Sequence, residues 1–80
     1  MSVRIALADR IQLLCSQNNI SINKLATKSG IPPSTLKNIL YGRSKNPGIV
    51  TIKKLCDGLE IKLGEFFSCD IFDNLEQEIK

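Results

Sequence analysis

The chain has no histidine and no tryptophan, and its aromatic residues are one Tyr and three Phe. Without an imidazole, every mechanism that needs a histidine base, proton shuttle or metal ligand is excluded. Cysteine is sparse and scattered: Cys15, Cys56 and Cys69. No CxxC pair occurs, so a zinc ribbon and a dithiol redox motif are both ruled out. An odd, widely spaced set predicts reduced packing thiols in a cytoplasmic protein. Long apolar runs are also missing. The first ten residues, MSVRIALADR, already contain Arg4, Asp9 and Arg10, which fits neither a signal peptide nor a membrane span. No internal repeat, low-complexity segment or sustained strand-like alternation is present.

What is there is one small domain of 80 residues with a divided charge. The formal net charge is +3. Residues 1–62 carry ten basic side chains against three acidic ones, a net of +7. Residues 63–80 carry five acidic side chains against Lys80, a net of −4. A basic body with an acidic tail is suited to a polyanion, and equally to a solvated Lys-rich surface.

The apolar periodicity is helical throughout, and the expected fold class is all-α. Val3, Leu7, Ile11 and Leu14 recur at spacings of four, four and three and mark a first helix over about 4–17. Asn18-Asn19 ends it. A second helix spans about 22–29, with Ser21 as N-cap and Gly30 as the left-handed residue beyond its end. A third opens at Pro32-Pro33, since proline loses nothing at the first helical position. Its core stripe is Leu36, Ile39 and Leu40, and Gly42 closes it. A fourth covers about 49–58, buried through Ile52, Leu55, Cys56 and Leu59. A fifth covers about 63–67. The segment 70–80 reads as an amphipathic helix with Asp70 as cap and Ile71, Phe72, Leu75 and Ile79 on its apolar face.

Residues 22–41, INKLATKSGIPPSTLKNILY, place a short helix, a tight turn and a second helix in succession. Small Ala26 permits the close crossing, Gly30 supplies the turn, and Ile31 plugs the angle between the helices. With Leu36 at zero on a helical wheel, Ser34, Asn38 and Tyr41 fall within roughly 40° of the opposite pole, with Lys37 on their flank. That face presents hydroxyl, amide, phenol and ammonium groups.

These residues, with the G-x-x-x-N-P loop from Gly42 to Pro47 and TIKKLCDGLEIKLGEFF beyond it, resemble the Cro/CI-type helix-turn-helix regulators. The likeness covers about 4–67. It implies a five-helix lambda-repressor-like DNA-binding domain over 1–68, followed by a short acidic tail over 69–80, and a sequence-specific regulator, a dimeric repressor of bacterial or phage type. In that arrangement the helix 33–41 enters the major groove of double-stranded DNA. Pro33, Ser34, Lys37, Asn38 and Tyr41 are the candidate base-reading residues. Asn38 is suited to adenine, Lys37 to guanine or a phosphate, and Pro33 to a thymine methyl. Ser21, Asn23, Thr35, Arg43, Ser44 and Lys45 are the candidate phosphate contacts, which position without reading sequence. Lys53 and Lys54 are either further contacts or plain solvent-facing charges. Two departures from the family pattern stand out. Ile22 occupies a position where many members have Gln, and Pro32 occupies one where many have a Ser or Thr cap.

Ile71, Phe72, Leu75 and Ile79 either pack on their own domain or form a homodimer seam. A protein-interaction module of antitoxin or antirepressor type is the alternative on the same fold. It would engage a protein partner. Catalysis is not expected, because the carboxylates are scattered and no base can activate a thiol. No metal, cofactor or membrane partner is expected. The chain leaves no room for a ligand-sensing domain, so regulation would act through a partner, concentration or degradation.

Overall fold

A computed structural model describes residues 1–44 and 46–79. Six helices follow one another among the described residues: α1 (Val3–Gln17), α2 (Ile22–Ser29), α3 (Pro33–Leu40), α4 (Ile49–Leu59), α5 (Leu63–Phe67) and a single turn, α6 (Asp70–Asp73).

The helix starts follow local chemistry. Ser2 accepts a hydrogen bond from the Ile5 amide at 3.3 Å, and Ser21 accepts one from the Lys24 amide at 3.0 Å. Each hydroxyl satisfies an amide that the first turn leaves without a partner. At α3 the cap position is Pro32, which has no side-chain hydrogen bond to give. Instead the Pro32 carbonyl accepts from the Thr35 amide at 3.0 Å and the Leu36 amide at 3.4 Å. Prolines at 32 and 33 lack amides, so little is left to cap.

Four helix ends share one turn. A left-handed residue follows each helix: Asn19 (φ 54°), Gly30 (φ 69°), Gly42 (φ 78°) and Glu60 (φ 61°). The next amide then returns to a carbonyl five residues back, as Ile20 to Cys15, Ile31 to Ala26, Arg43 to Asn38 and Ile61 to Cys56, at 2.9–3.1 Å. This closure gives otherwise orphaned carbonyls a donor. It also sends an isoleucine back toward the interior at three of the four ends: Ile31 is buried, and Ile20 and Ile61 are half-buried.

The core is assembled from Leu7, Ile11, Leu14 and Cys15 of α1, Leu25 and Ala26 of α2, Leu36 and Ile39 of α3, Ile52, Leu55, Cys56 and Leu59 of α4, and Phe66 of α5. Each large side chain taken out of water contributes about 1.5–3 kcal/mol before entropy is counted. α2 and α4 meet backbone to backbone where Gly58 faces Ser29. A Cβ on Gly58 would lie 3.1 Å from the Ser29 amide nitrogen and 3.2 Å from its Cα. Ser29 Oγ is buried there and finds no hydrogen-bond partner among the described residues. Arg10 ties α1 to the end of α5, donating to the Phe66 carbonyl at 2.8 Å and the Glu65 carbonyl at 3.0 Å.

Three boundaries differ from the sequence expectation. α3 stops at Leu40, and Tyr41 is its C-cap. α4 runs through Gly58 to Leu59, because Gly58 serves the contact with Ser29 while Glu60 takes the left-handed turn. The tail is helical only over Asp70–Asp73, its cap position is Cys69 rather than Asp70, and the segment 74–79 is not helical. The tail's stop has a local cause: Asp73 and Asn74 are poor helix formers. Asn74 Nδ2 donates to the Asp70 carbonyl at 3.1 Å at this end.

Candidate nucleic-acid interface

The α2–turn–α3 unit owes its geometry to Leu25, Ala26, Leu36 and Ile39, which are buried, and to Ile31, which fills the angle between the helices. With that side of α3 committed to the core, the other side must face water. Pro33, Ser34, Lys37 and Tyr41 are exposed there, Tyr41 at 66%. Asn38 and Thr35 are half-buried on the same helix. Ser34, Asn38 and Tyr41 thus form one outward row, with Lys37 beside it and Pro33 at the helix start.

The loop after α3 is drawn up beneath this row. The Asn38 carbonyl accepts from the Arg43 amide at 2.9 Å and from the Ser44 amide at 3.0 Å. Arg43 is left exposed and Ser44 half-buried, next to the base of the α3 face. Lys45, also expected as a phosphate contact, lies outside the described residues.

At the start of α2, Ser21 and Asn23 are exposed. Ser21 Oγ uses a lone pair for its cap bond to Lys24 and keeps its proton to donate. The Asn23 main-chain carbonyl accepts from Thr27 Oγ1 at 3.1 Å, and the Asn23 side-chain amide has no hydrogen-bond partner among the described residues. Ile22, where a glutamine is usual, is half-buried and packs against the core instead. Lys53 is exposed and pairs with Asp57 one turn along α4. Lys54 is exposed.

Two features of this face escape sequence reasoning. The first concerns amides. The amides of Tyr41, Gly42, Arg43 and Ser44 all return to carbonyls of α3. None of these four is free for an anion, so a phosphate beside residues 41–44 would meet side chains rather than these amides. The second is Arg4. Its guanidinium, from the first turn of α1, packs on Gly42: a Cβ there would lie 3.2 Å from Arg4 Cζ and closer still to Nη1. Nothing in the local sequence joins residue 4 to residue 42, so no periodicity could signal the pair.

The four tail residues are placed unequally. The Phe72 ring lies 5.0 Å from Phe67 and 6.0 Å from Phe66, centre to centre, extending the core. Ile71 and Leu75 are half-buried, and Ile79 is 87% exposed. Glu76 comes within 3.6 Å of the N-terminal ammonium of Met1.

Two of the three thiols are closed into the core, and Cys69 is half-buried. Cys15 and Cys56 are buried, and burial pushes both above the ordinary thiol range, which keeps them protonated. Among the described residues no cluster of Cys, Asp or Glu could hold a metal ion. No helix of the described residues is long and apolar enough to cross a membrane.

The chain is 37% identical over 60 residues to the HTH-type transcriptional regulator SlrR of Bacillus subtilis (strain 168), a match covering 75% of this chain and 40% of SlrR. It is 34% identical over 56 residues to the uncharacterized HTH-type transcriptional regulator YvzC of the same organism, covering 70% of this chain and 71% of YvzC. No solved structure matches it significantly. The Cro/C1-type HTH DNA-binding domain matches residues 10–71. That span takes in all of α2 to α5 and most of α1, and the chain belongs to this DNA-binding helix-turn-helix family.

Proposed function

We propose that the chain is a sequence-specific transcriptional regulator that binds DNA as a homodimer and acts as a repressor. α3 enters the major groove. Asn38 and Lys37 read base edges, with Ser34, Tyr41 and Pro33 completing the readout. Ser21, Asn23, Thr35, Arg43, Ser44 and Lys45 hold phosphates on either side. The observation that carries this reading is the polar row on α3, with the Arg43–Ser44 loop pinned beneath it by the Asn38 carbonyl.

Dimerisation answers a limit of size. A single small module buries about 600–1,000 Å² on DNA, and two copies on adjacent half-sites multiply both affinity and specificity. The tail's Phe72 is already engaged within its own chain. Exposed apolar surface instead gathers at the start of α4. Ile49 and Val50 are 62% and 66% exposed, beside a cleft of about 330 Å³ lined by Val3, Leu7, Pro47, Ile52 and Phe67. That patch supports a second copy seated there.

Selection of binding sites from a pool of random duplexes tests the proposal. A palindromic consensus is the expected result, since it reports base reading and two-fold symmetry together. Enrichment of no sequence would overturn sequence-specific binding and favour a protein-interaction role. With the consensus in hand, Asn38→Ala should cost about 1–3 kcal/mol on the selected site and much less on random DNA. Equal losses on both would remove Asn38 from the readout.

A further inference from the structure

The basic side chain that the fold brings to the corner of the DNA-facing surface from farthest away in sequence is Arg4. α1 carries two arginines, and the structure uses them differently. Arg10 is spent on the carbonyls of Glu65 and Phe66. Arg4 has no carboxylate or carbonyl partner among the described residues. Its neighbours one turn along are Leu7 and Ala8, and the acidic Asp9 falls on another side of the helix. Arg4 is half-buried rather than covered, and its guanidinium rests on Gly42, where the loop after α3 begins.

That location matters because of the amides. A loop beside DNA can hold a phosphate with main-chain N–H groups or with side chains. Here the amides of residues 41–44 are all consumed by α3 carbonyls. A phosphate beside residues 41–44 is therefore met by side chains, and a guanidinium matches phosphate oxygens with two parallel donors. Gly42 is the complement of this arrangement. Its missing Cβ leaves the space that the guanidinium occupies, and its φ of 78° is one that other residues resist.

We propose that Arg4 is a phosphate contact of the DNA-binding surface, seated on Gly42 and acting together with Arg43. The inference rests on the DNA-binding reading above. It adds a contact from α1 to a surface otherwise built from α2, α3 and the loop.

The test is the salt dependence of binding of the full chain to a random-sequence duplex, which isolates phosphate contacts from base reading. For Arg4→Gln the slope of log K against log salt should fall by about 0.9 per bound copy. Arg4→Lys keeps the charge and should keep the slope while losing part of the affinity. Arg10→Gln serves as the contrast, lowering thermal stability and leaving the slope unchanged. If Arg4→Gln binds with the wild-type slope and affinity, Arg4 is no phosphate contact, although the DNA-binding reading stands. If Arg4→Gln merely shifts the melting temperature as Arg10→Gln does, its role is structural and the proposal falls. If the wild-type chain binds no duplex, both readings fall together.

Discussion

α2 and α3 end in the same turn and then diverge. Gly30 and Gly42 both adopt left-handed backbone, and in both the next amide reaches back five residues to close the helix. After Gly30 comes Ile31, 8% exposed, driven into the angle between the helices. After Gly42 comes Arg43, exposed beside the α3 face. The glycine and its hydrogen bonds set only the direction in which the chain leaves. The side chain that follows then takes opposite places: Ile31 goes into the core and Arg43 faces solvent. The two glycines differ as well: nothing lies near a Cβ on Gly30, whereas one on Gly42 would strike Arg4.

The sharpest way to break this comparison is to remove the two following side chains. Ile31→Ala should destabilise the fold by about 2–5 kcal/mol, because a buried isoleucine leaves a cavity. Chemical denaturation would register it as a lower midpoint. Arg43→Ala should leave the stability within about 0.5 kcal/mol of the wild type, as expected of an exposed side chain, and weaken DNA binding instead. Equal losses of stability would mean that the two turns do the same job.

Substituting the glycines themselves gives a smaller effect. Gly30→Ala should cost about 1–2 kcal/mol, the usual penalty for a side chain in left-handed backbone. Gly42→Ala should cost more than Gly30→Ala, since the arginine must also move. Thermal melts of the two variants side by side decide the order, and a smaller loss at Gly42 would argue against the Arg4 contact.

The smallest effect is a gain. Glu60 occupies the same left-handed position at the end of α4 and has a Cβ. Glu60→Gly should stabilise the chain by about 1 kcal/mol, because the relief of left-handed strain exceeds the added freedom of the unfolded chain. A drop in melting temperature would show that Glu60 does something there besides turn the chain.

Most helix limits were legible because they rest on interactions between near neighbours. Ser21 three residues before the Lys24 amide, Pro33 at a first turn and Gly30 after Ser29 carry their meaning within a few positions. The outward row of α3 was legible for the same reason, since burying Leu36 and Ile39 dictates where Ser34, Asn38 and Tyr41 point. The tail was misread because an apolar pattern at 71, 72, 75 and 79 says which residues seek cover, not whether a helix delivers them. One turn sufficed to bring Phe72 onto Phe66 and Phe67, and the Asp73-Asn74 pair ended it.

The sequence by itself therefore determined the all-α class, the helix-turn-helix unit, the polar face of α3 and the division of charge between body and tail, since each follows from short-range periodicity, capping or counting. The tertiary structure alone decided that Gly58 is a packing residue against Ser29, that Glu60 rather than a glycine turns the end of α4, and that Arg4 reaches Gly42. Those three depend on where segments distant along the chain come to rest. That is set by the joint packing of one small core, and no window of neighbouring residues contains it.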